Sequence, residues 1–151
     1  MIGTLGSNIG KGLLAGIAGT AAMTVSSTLE AKLRGRDPST APADAAKKVL
    51  GIRAFESEGA KSRFSTLVHW GYGTGWGAAY GLLRTTGLSD AAATPAHGAA
   101  VWGAAAAMLP SVGVALPFWK WGRKEVGIDL WHHAVYATAT GLAYAALDNR
   151  G

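Results

Sequence analysis

The chain has 151 residues, no cysteine, and 14 Lys and Arg against 9 Asp and Glu, for a formal net charge of +5. That length fits one domain with enough apolar material to bury a core, and the missing cysteine excludes a disulfide framework, a thiolate metal site and a cysteine nucleophile. A basic balance in a soluble protein would point to nucleic acid, but the charges are unevenly spread, 13 of the 23 lying between Glu30 and Arg63, and no nucleic-acid partner is expected.

Four stretches carry no charge: Gly12 to Leu29, Phe64 to Leu83, Ala91 to Trp119 and Leu130 to Leu147. Each is close to the ~20 residues that a helix needs to cross a bilayer core. A soluble helix with a wet face would show a charge every turn or two. The pattern predicts an all-α, four-transmembrane-helix bundle forming a single membrane domain over 1–151, with spans near 12–30, 64–84, 95–116 and 128–147. The competing soluble Ala-rich bundle is disfavoured by 22 glycines, each costing about 1 kcal/mol in a soluble helix interior. In a membrane, small residues instead let helices approach closely.

The first span, "GLLAGIAGTAAMTVSSTL", follows Lys11 and has the look of a signal peptide. Its polar continuation keeps the helical pattern, with Thr20, Thr24 and Ser27 on one face, so a retained helix is expected. The loop 31–62 contains a "DPST" turn, Thr40 as a cap, Pro42 in a first turn and Gly51 as a stop. Between them a short amphipathic helix would lie on the membrane surface with Lys47 and Lys48 at lipid phosphates, or else be a solvated loop helix.

The second span holds "HWGYGTGWGAAYG", His69 to Gly81. At 100° per residue, His69, Tyr72, Trp76, Tyr80 and Leu83 share a face, and Gly73, Gly77 and Gly81 form a groove beside it. In the third span Pro110 should kink or break the helix near Leu109 and Pro117 should end it. Phe118, Trp119 and Trp121 then alternate with Lys120, Arg123 and Lys124, a lipid-interface signature. His97, after Pro95, is expected at the opposite membrane face.

An offset of 64 positions lays His69, Tyr72, Thr74, Gly77, Tyr80 and Leu83 on His133, Tyr136, Thr138, Gly141, Tyr144 and Leu147. The fourth span would then present His133, Tyr136, Thr140, Tyr144 and Leu147, with a groove of Ala137, Gly141 and Ala145, while His132 points away. This suggests a two-hairpin pseudo-repeat whose halves run parallel about an axis along the membrane normal. Four spans leave 11 of the 14 Lys and Arg on the side of the loops 31–62 and 118–127, Arg63 at the edge of the second span included, so the positive-inside rule places both loops in the cytoplasm and both termini outside.

His69 and His133 start their helices at one level. Two such imidazoles suit a b-type haem, or a proton relay with Glu30 and Asp129 in a polar site that includes Tyr72 and Tyr136, or simple bonds to nearby hydroxyls and carbonyls. No nucleophile elbow, phosphate loop or zinc-type His-Glu spacing is present, so neither an enzyme nor a cofactor is expected. The excess of Gly and Ala surface points to a non-enzymatic accessory or scaffold component in membrane lipid, packing as a homo-oligomer or against a larger membrane complex. The alternative is a small transporter or channel element for protons, ions or a small solute, with Glu30, His69, Asp129 and His133 lining a cytoplasmic vestibule.

Three segments, "GLLAGIAGTAAMTVSSTLEAKL", "VHWGYGTGWGAAYGLL" and "LPSVGVALPFWKWGRKEVGIDLWHHAVYATATGLAY", together resemble the YagU-type inner-membrane proteins of bacteria, a family of unknown function. The likeness lies in the helix-starting histidines, the kinking proline and the order Pro117, Trp119, Glu125, His133, Tyr136. It implies the bacterial cytoplasmic membrane and supplies no catalytic residues.

Overall fold

The computed structural model describes residues 2–149. They form five helices and no strand: α1 (Ile2–Arg34), α2 (Ala41–Val49), α3 (Glu58–Arg84), α4 (Asp90–Ser111) and α5 (Arg123–Asp148), with a 3-10 turn over Phe118–Lys120. Helix starts follow the expected chemistry in part. Ser57 caps α3, its Oγ accepting the Ala60 N–H at 3.1 Å, but Thr40, at the start of α2 before the first-turn proline, does not cap with its side chain, its hydroxyl donating to Asp44 Oδ2 at 2.7 Å instead.

The helices outrun the charge-free stretches. α1 begins at Ile2 rather than near Gly12, and α3 at Glu58 rather than Phe64, because absence of charge marks where a helix is buried or in lipid, not where its hydrogen bonds end. Pro110 does not break α4 at Leu109. The helix ends at Ser111, and Gly113, at φ 66°, turns the chain so that Val114 N–H bonds Leu109 O at 2.9 Å. Pro117 only introduces the 3-10 turn. Gly51 ends α2 as expected, at φ 67°.

α1 packs along both α3 and α5; α4 lies on α5 and α3, and α2 on α3. The α1–α3 contact is backbone on backbone: a Cβ built on Gly16 would meet Gly77 Cα at 2.8 Å and Gly73 O at 2.9 Å, and one on Gly12 would meet Gly81 N at 2.9 Å. Thr20 fills the space over Gly73. The groove of Gly73, Gly77 and Gly81 is therefore occupied by the chain's own α1. In the second groove, Ala137 faces Gly98 and Gly141 faces Thr94, both on α4, with Ala145 half-buried beyond them. Small-residue surface is used within the chain, which removes part of the reason to expect it at an external contact.

The apolar distribution runs opposite to a soluble protein's. The buried hydrophobics are five alanines, three tyrosines and Val101, while Leu14, Val25, Leu67, Trp131 and Leu142 are among many large side chains on the outside. None of the Leu, Ile, Phe, Met or Trp side chains among the described residues is fully buried. One helix, over Gly3–Arg34, is long and apolar enough to cross a membrane, with a mean hydropathy of 1.4 in its best window.

Candidate functional site

Five residues of α5 recur every fourth position: His132, Tyr136, Thr140, Tyr144 and Asp148. That spacing keeps them on one face of a helix, and the face turns inward, the first four being 6%, 2%, 0% and 1% exposed. Polar atoms inside a helical bundle need partners, and those partners trace a file from one end to the other.

At the end where α1 finishes, Ser26 Oγ lies 2.9 Å from His132 Nδ1, and His132 Nε2 is 3.7 Å from Glu30. Glu30 is already paired with Arg36 and, at 3.0 Å, with Arg34. Arg34 also reaches Glu125 at 2.6 Å, tying α1 to the start of α5. Its guanidinium, hydrogen-bonded to Glu125, holds that carboxyl below the usual carboxylate range, so this tie persists in mild acid and is lost only as pH falls through the lowered value. Nearby, His69 Nε2 is 2.8 Å from Thr24 Oγ1. The Thr24 hydroxyl donates its one proton to Thr20 O at 2.7 Å, so the imidazole must donate from Nε2.

In the middle, Tyr136 donates to Gly73 O at 2.6 Å. His97 enters from α4, 2% exposed, with Nε2 at 2.9 Å from Trp76 O. Its Nδ1 and Thr140 Oγ1 are buried without partners. Further along, Tyr80 OH and Thr94 Oγ1 share a hydrogen bond of 3.1 Å, and the Tyr80 and Tyr144 rings lie 5.2 Å apart. At the far end Arg84 stacks over Tyr144 at 5.7 Å and reaches Asp90 at 3.3 Å, while Lys11 pairs with Asp148 at 3.0 Å.

The file differs from the sequence expectation at several points. His133, placed on the inner stripe by the repeat, bonds back to its own helix at Asp129 O, 2.8 Å away, and His132 takes the inner position. His97 is central rather than interfacial. The repeat holds for Gly77 and Tyr80 against Gly141 and Tyr144, all buried, but Tyr72 is 37% exposed where Tyr136 is buried. A vestibule of Glu30, His69, Asp129 and His133 does not form: Glu30 is held by arginines, and Asp129 accepts Trp102 Nε1–H at 2.8 Å. Nor do His69 and His133 converge as a haem pair, since one bonds α1 and the other its own turn.

The interface residues divide in the same way. Trp119 and Lys120 are exposed, but Trp121 Nε1–H bonds Leu116 O at 2.7 Å. Lys48 is not free for lipid phosphate, because it donates to Val112 O at 3.0 Å and Gly113 O at 2.7 Å, satisfying carbonyls where α4 ends. Lys47 sits over the Phe55 ring at 5.6 Å.

Chemically, the file offers titratable rings and hydroxyls in a water-poor interior, and no cluster of three or more metal-binding side chains exists among the described residues. Tyr80→Phe should cost about 0.5–1.5 kcal/mol, since it removes one neutral hydrogen bond and leaves Thr94 to turn elsewhere. Thermal melts in detergent would check this, and a much larger loss would mean that the hydroxyl organises more of the core than Thr94. No protein-family model, curated protein or solved structure matches the chain.

Proposed function

We propose that the protein is a small four-pass membrane protein of the bacterial cytoplasmic membrane, and that its buried polar file serves transport of protons or small ions. The observation that carries this is the reversed distribution of polarity, with Leu, Ile and Trp outside and His, Thr and Tyr inside. In water an exposed aliphatic surface of that extent forfeits about 25 cal/mol per Å²; in lipid it forfeits nothing. At 1.5 Å per residue, the 22 residues of α4, the shortest of the four long helices, reach about 33 Å, enough for a core of about 30 Å. α3, α4 and α5 stay below the mean hydropathy of the best window of α1, since each carries glycine, histidine, threonine and tryptophan among its apolar residues.

Loops 31–62 and 118–127 are placed in the cytoplasm and the termini outside, with membership of the YagU-type proteins as part of the same proposal. Purified protein in liposomes carrying an internal pH-sensitive dye should pass protons when a pH gradient and a counter-ion path are supplied. Failure to pass protons or alkali cations above protein-free liposomes would end the transport reading. Stripping of the native protein from membranes by alkaline carbonate would end the membrane reading.

A second reading, an accessory subunit, is favoured by one feature. The outer face of α4 exposes Ala92, Ala96, Ala99, Gly103 and Ala107, a ridge against which another membrane helix fits closely. Particle mass in mild detergent separates the two, a strictly monomeric particle speaking against the subunit.

A further inference from the structure

We propose that His97 is the proton-binding site of this bundle, with Nδ1 as the atom that takes the proton. This rests on the transport reading above and names its substrate. His97 is the one histidine that approaches the aromatic centre of the file: the Trp76, Tyr80 and Tyr136 rings lie 6.1, 5.2 and 5.6 Å from its own, centroid to centroid. Trp76 O is a carbonyl and can only accept, so the proton between them sits on Nε2, and Nδ1 is left with its lone pair. That lone pair is buried and meets no donor. Thr140 Oγ1 is also without a partner, but a hydroxyl is no base near neutral pH.

The surroundings suit reversible loading. From α3 the titratable group facing the ring is Tyr80, and from α5 it is Tyr136, with Tyr144 behind Tyr80. No carboxylate or cation pairs with His97 among the described residues. Arg84, the cation on the Tyr144 ring, is engaged by Asp90 and Asp148. A fixed carboxylate would hold the imidazolium charged. Here the positive ring is instead met by the Trp76 carbonyl on its Nε2–H and by aromatic rings within about 6 Å, the range of cation–π attraction.

In the step itself, hydronium gives a proton to Nδ1, forming the N–H bond and leaving water; on release the same bond breaks and water takes the proton. The Nε2–H bond to Trp76 is unchanged throughout. Tyr136 stands between His97 and the His132–Glu30 end, and Tyr80 with Tyr144 between His97 and the Arg84–Asp148 end, so the two sides are screened by different rings.

Ala96–His97 is the only Ala–His pair in the chain. Carbonyl-labelled alanine with ring- and backbone-labelled histidine therefore identifies His97 by NMR in the wild-type protein, without any variant. We expect its ring to change from the Nε2–H form to the doubly protonated form in a pH series run from about 8 down to about 4, and proton flux of His97→Gln to fall to that of protein-free liposomes, while His133→Gln retains it. A His97 ring that stays in the Nε2–H form across that range overturns the proposal, whatever the flux and whether or not His97→Gln folds. A titrating ring with full flux in a folded His97→Gln protein also overturns it, and leaves the transport reading standing. A titrating His97 with no wild-type flux upholds the proton site and overturns transport.

Discussion

Replacing Gly77 by leucine should unfold the bundle, or come close to it, and should do so equally at any protein concentration. A Cβ at position 77 would stand 2.5 Å from Gly16 Cα and 2.7 Å from Gly16 N, and closer still to Gly12 O. All three are backbone atoms of α1, and a helix backbone cannot turn aside as a side chain does. The only relief is to move α1 off α3, which also lifts Thr20 from Gly73 and loosens Gly19 from Tyr136 and Thr140 on α5. Overpacking a core by a methylene or two costs about 1–3 kcal/mol, and a whole leucine against backbone lies beyond that range, a large part of the roughly 5–15 kcal/mol that holds a domain folded. Gly75→Leu is the control, because a Cβ there meets nothing within 4 Å. Melting curves in mild detergent at two protein concentrations would read the result. An unchanged midpoint for Gly77→Leu, or a loss that appears only as the protein is concentrated, would mean that the groove belongs to a second molecule.

The same contact explains what was legible in the sequence. Glycines at 73, 77 and 81 announce a close helix approach through spacing alone, but not which helix approaches. The partner spacing, Gly12, Gly16 and Thr20, was also in the chain, hidden in a span that reads as a signal-like apolar run. The four long helices and the short α2 were legible from charge-free stretches and from Pro42 and Gly51. Their ends were not, because hydrogen bonds continue through Pro110 until a positive-φ glycine turns the chain.

For the polar site, the signal was present and outweighed. His132, Tyr136, Thr140, Tyr144 and Asp148 are four apart throughout, whereas His133 stands three from Tyr136. Alignment with the second span favoured His133 on residue identity, although a helix face is set by angle. His97 carried no such periodic signal. Its burial depends on α4 crossing between α3 and α5, and that is tertiary information.

Arginine in place of Ile17 or Leu142 should separate a membrane bundle from a soluble one more sharply than any core substitution. Both side chains face outward, 43% and 70% exposed, and neither takes part in the polar file. If the outer surface is wet, such changes fall within about ±0.5 kcal/mol, as surface substitutions usually do. If it faces lipid, a cation well inside a span costs about 2.5–3.5 kcal/mol on the insertion scale, and neither position has a carboxylate within a turn along its own helix. Depth supplies an internal control. Leu33 is still more exposed, at 88%, but lies at the end of α1 beside Lys32 and Arg34, where an arginine can extend its head to the headgroups. The expected order of loss in membrane-inserted, folded protein is therefore Ile17→Arg and Leu142→Arg alike, since Lys11 pairs with Asp148 and Gly19 packs on Thr140 to set both positions at one depth, and Leu33→Arg least. Yield of carbonate-resistant protein and its melting midpoint in detergent would give that order. Three variants that behave alike and like the wild type would show that the outer leucines and isoleucines meet water, and the four-pass proposal would fall with them.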